Sequence, residues 1–386
     1  MFTFADYFYK IMMKLENKIK KMVYTDASMI ITEACVKAGS DVFIGYPITP
    51  SNRFYQYGTQ RFPAFLAGPD EITVMQWMAG FSAAGKFPVT ATAFPGLALM
   101  AEGLNMAYAM ELPMLLILTQ RLGPSTGSAT TGAQGDLMFL NGLISGKYPI
   151  PVFSHSDFED AWDMTYEAIK TAMKFRTPTV LLTSKELVMT NKSFDLNKLK
   201  EIKPVEKFST EVIEPFEPYK TGDELVPAYI PLGDKKYQVR INASTHNNAG
   251  LIKKNDPESM ANTRRLKEKF EKRIDEYTFY DYDKEQGAKK LIVTYGISAD
   301  ASRDAVVKLR EEGEKVSLLI VKTLLPVPGV ILDIINDYEN IIFVEENISG
   351  IYKEIIFGIN ENSKVSSVNK IGNLISPSEI IKAVRS

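Results

Sequence analysis

The chain has 386 residues, of which 45% are hydrophobic, and its 45 lysines and arginines nearly balance its 47 aspartates and glutamates. This length and composition predict a globular protein of two or three domains, and the interleaving of basic with acidic residues argues against a nucleic-acid-binding surface. The single cysteine, Cys35, excludes an internal disulfide and an iron–sulfur cluster held by this chain alone, and the two histidines, His155 and His246, lie in no spacing typical of a metal site.

Residues 1–24 are predicted to form an extension that precedes the first domain. Aromatic residues are mixed there with lysines, without the central apolar block of a signal peptide. A docking helix, or a misplaced start codon with Met12, Met13 or Met22 as the true start, is favoured over an amphipathic helix on a membrane surface. Because the sequence has no run of about 18 apolar residues, the cytoplasm is the default location.

Residues 25–192 alternate between helical patterns and short apolar strands. The predicted strands are 42–44, 89–93, 115–118 and 179–182, and the predicted helices are 71–84, 97–110 and 158–175. Cys35 lies in a further helical pattern and is predicted to be a buried apolar residue. Helices that alternate with strands predict an α/β fold whose sheet is mainly parallel and covered on both faces.

Residues 193–287 break this alternation and are predicted to be a connector with partial structure. A charged helix over residues 266–274 mixes lysine with glutamate and is interpreted as a solvated face. Residues 288–386 return to the α/β pattern, with strands over 291–295, 316–321 and 341–344 and helices over 298–312 and 351–357. Ser376, Pro377 and Glu379 predict a capping box at the start of the last helix.

Two polar loops that follow predicted strands form the candidate site. Residues 45–51 read Gly-Tyr-Pro-Ile-Thr-Pro-Ser, and residues 120–127 read Gln-Arg-Leu-Gly-Pro-Ser-Thr-Gly. Parallel α/β sheets bind ligands at the carboxyl ends of their strands, so the two loops are expected to share one crevice. Taken singly, each loop could equally be a tight connection.

The common phosphate-binding motifs are missing from the sequence. No Gly-x-Gly-x-x-Gly follows a strand, which argues against a nicotinamide-dependent dehydrogenase. Gly85-Lys86 and Gly146-Lys147 lack the serine or threonine that completes a Walker loop. The Gly-Asp-Gly sequence that introduces the magnesium-diphosphate site of thiamine enzymes is absent as well.

The two loops resemble those of the alpha subunit of 2-oxoacid:ferredoxin oxidoreductases, in the form that has alpha and beta as separate chains. Further matching motifs are Asp70-Glu71-Ile72, Thr90-Ala91-Thr92 with Pro95-Gly96, Gln134 with Asp136-Leu137, Thr245-His246-Asn247 with Gly250, Arg264-Arg265-Leu266 and Val344-Glu345-Glu346-Asn347. The resemblance implies two parallel-sheet domains: a thiamine-diphosphate domain of the pyrimidine type over residues 25–192 and a smaller transketolase-C-like domain over residues 288–386.

The resemblance also implies the cofactors and the partners. Thiamine diphosphate would be shared with a beta subunit, which holds the diphosphate, the magnesium ion and an iron–sulfur cluster, and the missing motifs fit this division. Ferredoxin, coenzyme A and further small subunits are the other implied partners. The implied reaction converts a 2-oxoacid, coenzyme A and oxidised ferredoxin reversibly into acyl-CoA, carbon dioxide and reduced ferredoxin, and it needs the beta subunit.

Glu71 is the catalytic residue that the resemblance implies. In thiamine enzymes a buried glutamate hydrogen-bonds N1′ of the aminopyrimidine and promotes its imino tautomer, because a carboxylate can share a proton with a ring nitrogen. Pro47 and Ile48 are implied to place backbone near the same ring. From its position alone, Glu71 could instead be an ordinary carboxylate at the start of a helix.

Arg121, Thr49 and Thr130 are the substrate-binding residues that the resemblance implies. The guanidinium of Arg121 would grip the substrate carboxylate as a bidentate, permanently charged clamp. Thr49 and Thr130 would line the pocket. The alternatives are a surface arginine after a strand for Arg121 and a turn hydroxyl for Thr49.

The sequence departs from the family pattern at positions that bear on the substrate. Ala93-Phe94 replaces Ser-Gly, residues 128–134 diverge, and Pro69 replaces a glutamate. We expect 2-oxoglutarate, because the layout is most similar to that branch, with pyruvate or a branched-chain 2-oxoacid as alternatives. Other classes left open are a non-catalytic scaffold subunit and a transketolase-like or decarboxylase enzyme without electron transfer.

Overall fold

Residues 21–207, 212–359 and 362–386 of the computed structural model are described here. The first 20 residues of the predicted extension therefore lie outside the described residues. Within these three ranges, no helix combines the length and the apolar character that a membrane span needs.

The strands and helices alternate along most of the chain. The strands are β1 (Met22–Thr25), β2 (Val42–Gly45), β3 (Ala64–Ala67), β4 (Pro88–Thr92), β5 (Met114–Gln120), β6 (Val152–Ser154), β7 (Pro178–Ser184), β8 (Lys192–Asp195), β9 (Tyr280–Asp283), β10 (Lys290–Thr294), β11 (Val316–Val321), β12 (Thr323–Leu325), β13 (Asn340–Glu345) and β14 (Val365–Asn369). The helices are α1 (Ala27–Lys37), α2 (Asn52–Arg61), α3 (Glu71–Ala83), α4 (Phe94–Ala109), α5 (Leu137–Asn141), α6 (Phe158–Phe175), α7 (Lys185–Met189), α8 (Pro257–Glu271), α9 (Ser298–Glu311), α10 (Gly329–Asn336), α11 (Ile351–Phe357) and α12 (Pro377–Arg385).

Seven strands form the first sheet, in the order β12-β6-β7-β5-β4-β2-β3. All neighbouring strands from β6 to β3 run parallel, and β12 pairs antiparallel with β6. Every residue of β2, β4, β5 and β7 is buried, as expected for a parallel sheet with helices on both faces. The predicted parallel α/β sheet is confirmed.

Five strands form the second sheet, in the order β14-β13-β10-β11-β9. The first four run parallel, and β9 pairs antiparallel with β11. A separate antiparallel ribbon joins β1 to β8. The prediction of two parallel sheets is therefore confirmed, and each sheet has gained one antiparallel strand that the sequence pattern did not indicate.

Local capping explains where several helices begin. The side chain of Asp70 accepts a hydrogen bond from Thr73 N at 2.7 Å, which fixes the start of α3 at the next residue. The predicted capping box at Ser376 and Glu379 is confirmed at the start of α12. Cys35 is fully buried in α1, as predicted, and burial raises the pKa of its thiol.

The charged helix of the connector differs from its prediction. It runs from Pro257 to Glu271, and it is not simply a solvated face, because Lys269 is only 1% exposed. Lys269 Nζ donates a hydrogen bond to Glu111 Oε2 at 2.8 Å, and Arg265, one turn earlier, pairs with the same carboxylate. Residues four apart share one face of a helix, so this face binds the first sheet's layer of helices instead of water.

The two sheets meet at Gln134, between β5 and α5. The Gln134 side chain accepts hydrogen bonds from Ser298 Oγ (2.9 Å) and Glu346 N (2.7 Å) and donates one to Tyr295 O (2.8 Å). Its backbone N donates to Glu346 O at 2.7 Å. Tyr295 follows β10 and Glu346 follows β13. The carboxyl ends of parallel strands from both sheets therefore converge at this residue.

Candidate active site

The loop after β2 is tied to the carboxyl ends of the two next strands in the sheet. Ser51 is buried, and its Oγ lies 2.9 Å from both Thr92 O, at the end of β4, and Thr119 Oγ1, near the end of β5. A residue of the first candidate loop thus spans three strand ends. The site is built at the edge of the sheet where α/β folds bind ligands.

Arg121 joins the second candidate loop to the first. Its Nη1 donates a hydrogen bond to Thr49 O at 2.5 Å, so the two loops are in direct contact, as expected if they share one crevice. The arginine is 6% exposed, and its buried Nε has no hydrogen-bond partner among the described residues. The Thr49 hydroxyl is half-buried and accepts a hydrogen bond from Asn52 Nδ2 at 2.9 Å.

Glu71 is the first residue of α3 and is 5% exposed. Nothing in the described part of the chain donates a hydrogen bond to its carboxylate. Gly96 leaves the space beside it, since a Cβ there would lie 2.8 Å from Glu71 Oε1 and 2.0 Å from Thr92 Oγ1. The carboxylate is therefore free to accept a hydrogen bond from outside the chain, so Glu71 fits a ligand that shares a proton.

The remaining predicted residues are more exposed than Glu71 and Arg121. Pro47 is exposed and Ile48 is half-buried. Thr130 is exposed, and no hydrogen bond within residues 21–207, 212–359 and 362–386 joins it to Arg121 or Thr49. Thr49 follows β2, Glu71 follows β3 and Arg121 follows β5, so all three lie beyond carboxyl ends of the first sheet, and Thr130 is not joined to Thr49 or Arg121.

Phe94, which departs from the family pattern, points toward α5. It is half-buried, and its ring packs edge-on against Phe139 with a centroid distance of 5.4 Å. The larger side chain is therefore accommodated by an aromatic contact between the start of α4 and α5.

Three residues that help to build the site have no role predicted from the sequence. Ser51, Gly96 and Asp136 were matched only as parts of motifs, although each is buried next to a predicted site residue. For Gly96, the signal was the Pro-Gly pair at the end of a strand. In the described part of the chain, no group of three or more His, Cys, Asp or Glu side chains is arranged to hold a metal ion.

Comparisons with known proteins agree with this architecture. The family model "Pyruvate flavodoxin/ferredoxin oxidoreductase, thiamine diP-bdg" matches residues 33–265, and "Pyruvate:ferredoxin oxidoreductase core domain II" matches residues 288–380. The 2-oxoglutarate synthase subunit KorA of Methanocaldococcus jannaschii is 29% identical over 94% of this chain and 99% of its own length. The ketoisovalerate oxidoreductase subunit VorB of Methanothermobacter thermautotrophicus is 27% identical over 95% of this chain and 97% of its own.

A solved structure is similar over nearly the whole chain. It is the 2-oxoglutarate:ferredoxin oxidoreductase from Magnetococcus marinus with 2-oxoglutarate, coenzyme A and succinyl-CoA bound, with a TM-score of 0.86 and 25% identity. The match covers 96% of this chain and 66% of that one. From these matches and the two parallel sheets, the chain belongs to the pyruvate flavodoxin/ferredoxin oxidoreductase family and is an alpha-type subunit of a 2-oxoacid:ferredoxin oxidoreductase.

Proposed function

We propose that Glu71 is the catalytic residue of this subunit and that it shares a proton with N1′ of the thiamine pyrimidine. The observation that carries the proposal is a buried carboxylate without a donor in the described residues, next to a glycine whose missing side chain leaves room. Bound thiamine diphosphate would supply the carbanion that attacks a 2-oxoacid carbonyl. Glu71 would hold the proton at its carboxylate.

Arg121, Thr49 and Thr130 are proposed to bind the substrate, and Pro47 and Ile48 to flank the pyrimidine. Arg121 is buried and permanently charged, and its one hydrogen bond to Thr49 O leaves further N–H groups for a carboxylate. The same bond fixes the orientation of the guanidinium relative to the first loop. Thr130 has less support, because it is exposed and joined to neither residue.

We propose 2-oxoglutarate as the substrate, with ferredoxin and coenzyme A as co-substrates. The names of the Methanocaldococcus jannaschii subunit and of the Magnetococcus marinus enzyme support this choice. The VorB relative, named for ketoisovalerate, keeps a branched-chain acid as the alternative. Pyruvate is the second alternative.

A beta subunit is proposed to carry the diphosphate site, the magnesium ion and the iron–sulfur cluster. The sequence of this chain supports the division, because it has one cysteine and no Gly-Asp-Gly motif. Further small subunits and a cytoplasmic location belong to the same proposal. The unpaired, buried Cys35 is compatible with a reducing compartment.

The test replaces Glu71 by glutamine in the complex reconstituted with the beta subunit. We expect 2-oxoglutarate-dependent viologen reduction by E71Q to fall about 100- to 10,000-fold, the usual contribution of general acid–base catalysis. The matched control is Glu102→Gln, which removes an exposed carboxylate from the neighbouring helix α4. Unchanged turnover of E71Q, with E102Q also active, would remove Glu71 from the mechanism and favour a scaffold role for the subunit.

A further inference from the structure

A second carboxylate, Asp136, is buried beside Arg121. It is 6% exposed, and its Oδ2 has no hydrogen-bond partner among the described residues. Asp136 stands at the N-cap of α5, yet its side chain makes no capping hydrogen bond. Its backbone N donates to Gln120 Oε1 at 3.3 Å, and its backbone O accepts from Leu140 N at 3.2 Å. The local fold therefore does not explain why a carboxylate occupies this position.

Arg121 is a buried cation that also has a side-chain atom without a hydrogen-bond partner among the described residues. Its Nε is buried and has no acceptor within the described ranges, and the two side chains form no ion pair there. The hydrogen bond from Asp136 N to Gln120 Oε1 places Asp136 beside the residue that precedes Arg121, and the charge of Arg121 opposes the rise that burial causes in the pKa of the Asp136 carboxyl. Each of these buried groups lacks a charged partner. The guanidinium can bind either the Asp136 carboxylate or a carboxylate from outside the chain, so the two carboxylates compete for it.

We propose that Asp136 is a positioning residue that controls how much of the charge of Arg121 is available to the substrate carboxylate. When Asp136 is neutral, the guanidinium binds the substrate. When Asp136 is ionised, it attracts the guanidinium and weakens substrate binding. This inference rests on the proposed role of Arg121 and adds to it a second residue and a dependence on protonation.

The surroundings of Asp136 favour its neutral form. Arg121 is the cation that acts on the Asp136 carboxyl, and the hydroxyl of Tyr295, which follows β10, is the other titratable group that interacts with it. Burial raises the pKa of Asp136 to about 7, and the opposing effect of Arg121 is smaller. The carboxyl group therefore changes its charge near neutral pH.

The pH dependence follows from these charges. Below about pH 7 Asp136 is protonated and Arg121 is free to bind a carboxylate, whereas above it the ionised Asp136 competes. We expect kcat/KM for 2-oxoglutarate to fall as the pH rises through this point and to level off once Asp136 is ionised, since kcat/KM reports the free enzyme. The dissociation constant of glutarate, which lacks the 2-oxo group and does not titrate in this range, should rise in parallel.

The test compares the wild-type complex with D136N between about pH 6 and pH 9. Asparagine has the shape of the neutral acid, so D136N should show flat profiles for kcat/KM and for glutarate binding, measured by calorimetry. Asp136→Ser is a second neutral variant, in case D136N does not fold. A pH dependence in either folded variant equal to that of wild type would overturn the inference.

Glu346→Gln is the matched control. Glu346 is also buried, with a pKa that burial raises to about 7, but its carboxylate accepts a hydrogen bond from Ile375 N and faces Glu186 rather than Arg121. E346Q should keep the wild-type profile. Arg121→Gln separates the two proposals: if it leaves glutarate binding unchanged, the proposed role of Arg121 fails, whereas weaker binding by R121Q with unaltered D136N profiles rejects this inference alone.

Discussion

Replacing Glu111 by glutamine tests the buried charges that attach α8 to the first sheet. We call Glu111, Arg176, Arg265 and Lys269 the Glu111 cluster. The fully buried carboxylate accepts hydrogen bonds from Arg265 Nη1 (3.0 Å), Arg265 Nη2 (2.5 Å) and Lys269 Nζ (2.8 Å). Arg176 Nε donates to the backbone oxygen of Glu111 at 3.2 Å. Three buried cations in this cluster thus share one negative charge.

The expected loss follows from the charge that remains after the substitution. Glutamine keeps the shape of the side chain but leaves the cations without a counter-ion, which costs about 3–5 kcal/mol. With an unfolding entropy of about 2.1 cal/mol/K per residue, the whole chain would lose roughly 4–6 °C in Tm if it unfolds as one unit.

The pH dependence of this loss gives a second measurement. Burial opposes ionisation of Glu111, but Arg265 and Lys269 more than offset it and hold the pKa of its carboxyl well below the usual range. A depressed folded-state pKa contributes stability above the unfolded pKa of about 4.3, which is lost as the pH falls. The difference between wild type and E111Q should therefore be largest at neutral pH and shrink in acid.

Urea unfolding of the full chain, followed by circular dichroism, measures both effects. The matched control is Glu167→Gln on α6, which removes a partly exposed ion pair with Lys170 at 3.2 Å, worth about 0–1 kcal/mol. If E111Q is no less stable than E167Q, the buried charges contribute far less than the contacts indicate, and the reasoning is wrong.

Three further predictions concern Gly96, Lys269 and Gln134. Gly96→Ala should lower 2-oxoacid-dependent viologen reduction by the complex at least about tenfold, because the added Cβ would crowd the Glu71 carboxylate and displace it; full activity of G96A would contradict this. Burial, opposed by Glu111, lowers the pKa of Lys269 to about 8. The unfolded chain therefore binds more protons than the folded chain between about pH 8 and pH 10, and the free energy of unfolding of the wild type should rise over this range. In urea titrations, K269M should lose this dependence on pH. Gln134→Ala removes three side-chain hydrogen bonds and should lower the free energy of unfolding by about 2–4 kcal/mol, with a midpoint unchanged from wild type as the contrary result.

The parallel core could be predicted because its strands are buried on both faces. Residues 115–118 and 180–182 are continuous apolar runs, and they lie within β5 and β7. β12 could not be predicted in this way, because three residues carry no periodicity and Thr323 pairs with Phe153, which is distant in sequence. The antiparallel additions depend on tertiary contacts rather than on local pattern.

Part of the candidate site could also be predicted from a local sequence pattern. Prolines and hydroxyls after a strand mark a rigid polar loop, so the loops that contain Thr49 and Arg121 could be singled out by pattern, and the family resemblance then implied the two residues. Lys269 could not, because its neighbours in α8 are also charged and its partner Glu111 lies 158 residues away. Long-range ion pairs leave no local signal in a single sequence.

The position of β12 has a consequence for how the chain can be divided. By sequence this strand lies in the region matched by the second family model, residues 288–380, but it hydrogen-bonds to β6 and completes the first sheet. A recombinant fragment that stops between the two matched regions would leave β6 with a row of unsatisfied backbone groups, which is a template for self-association. A fragment meant to keep the first sheet capped must extend through Leu325.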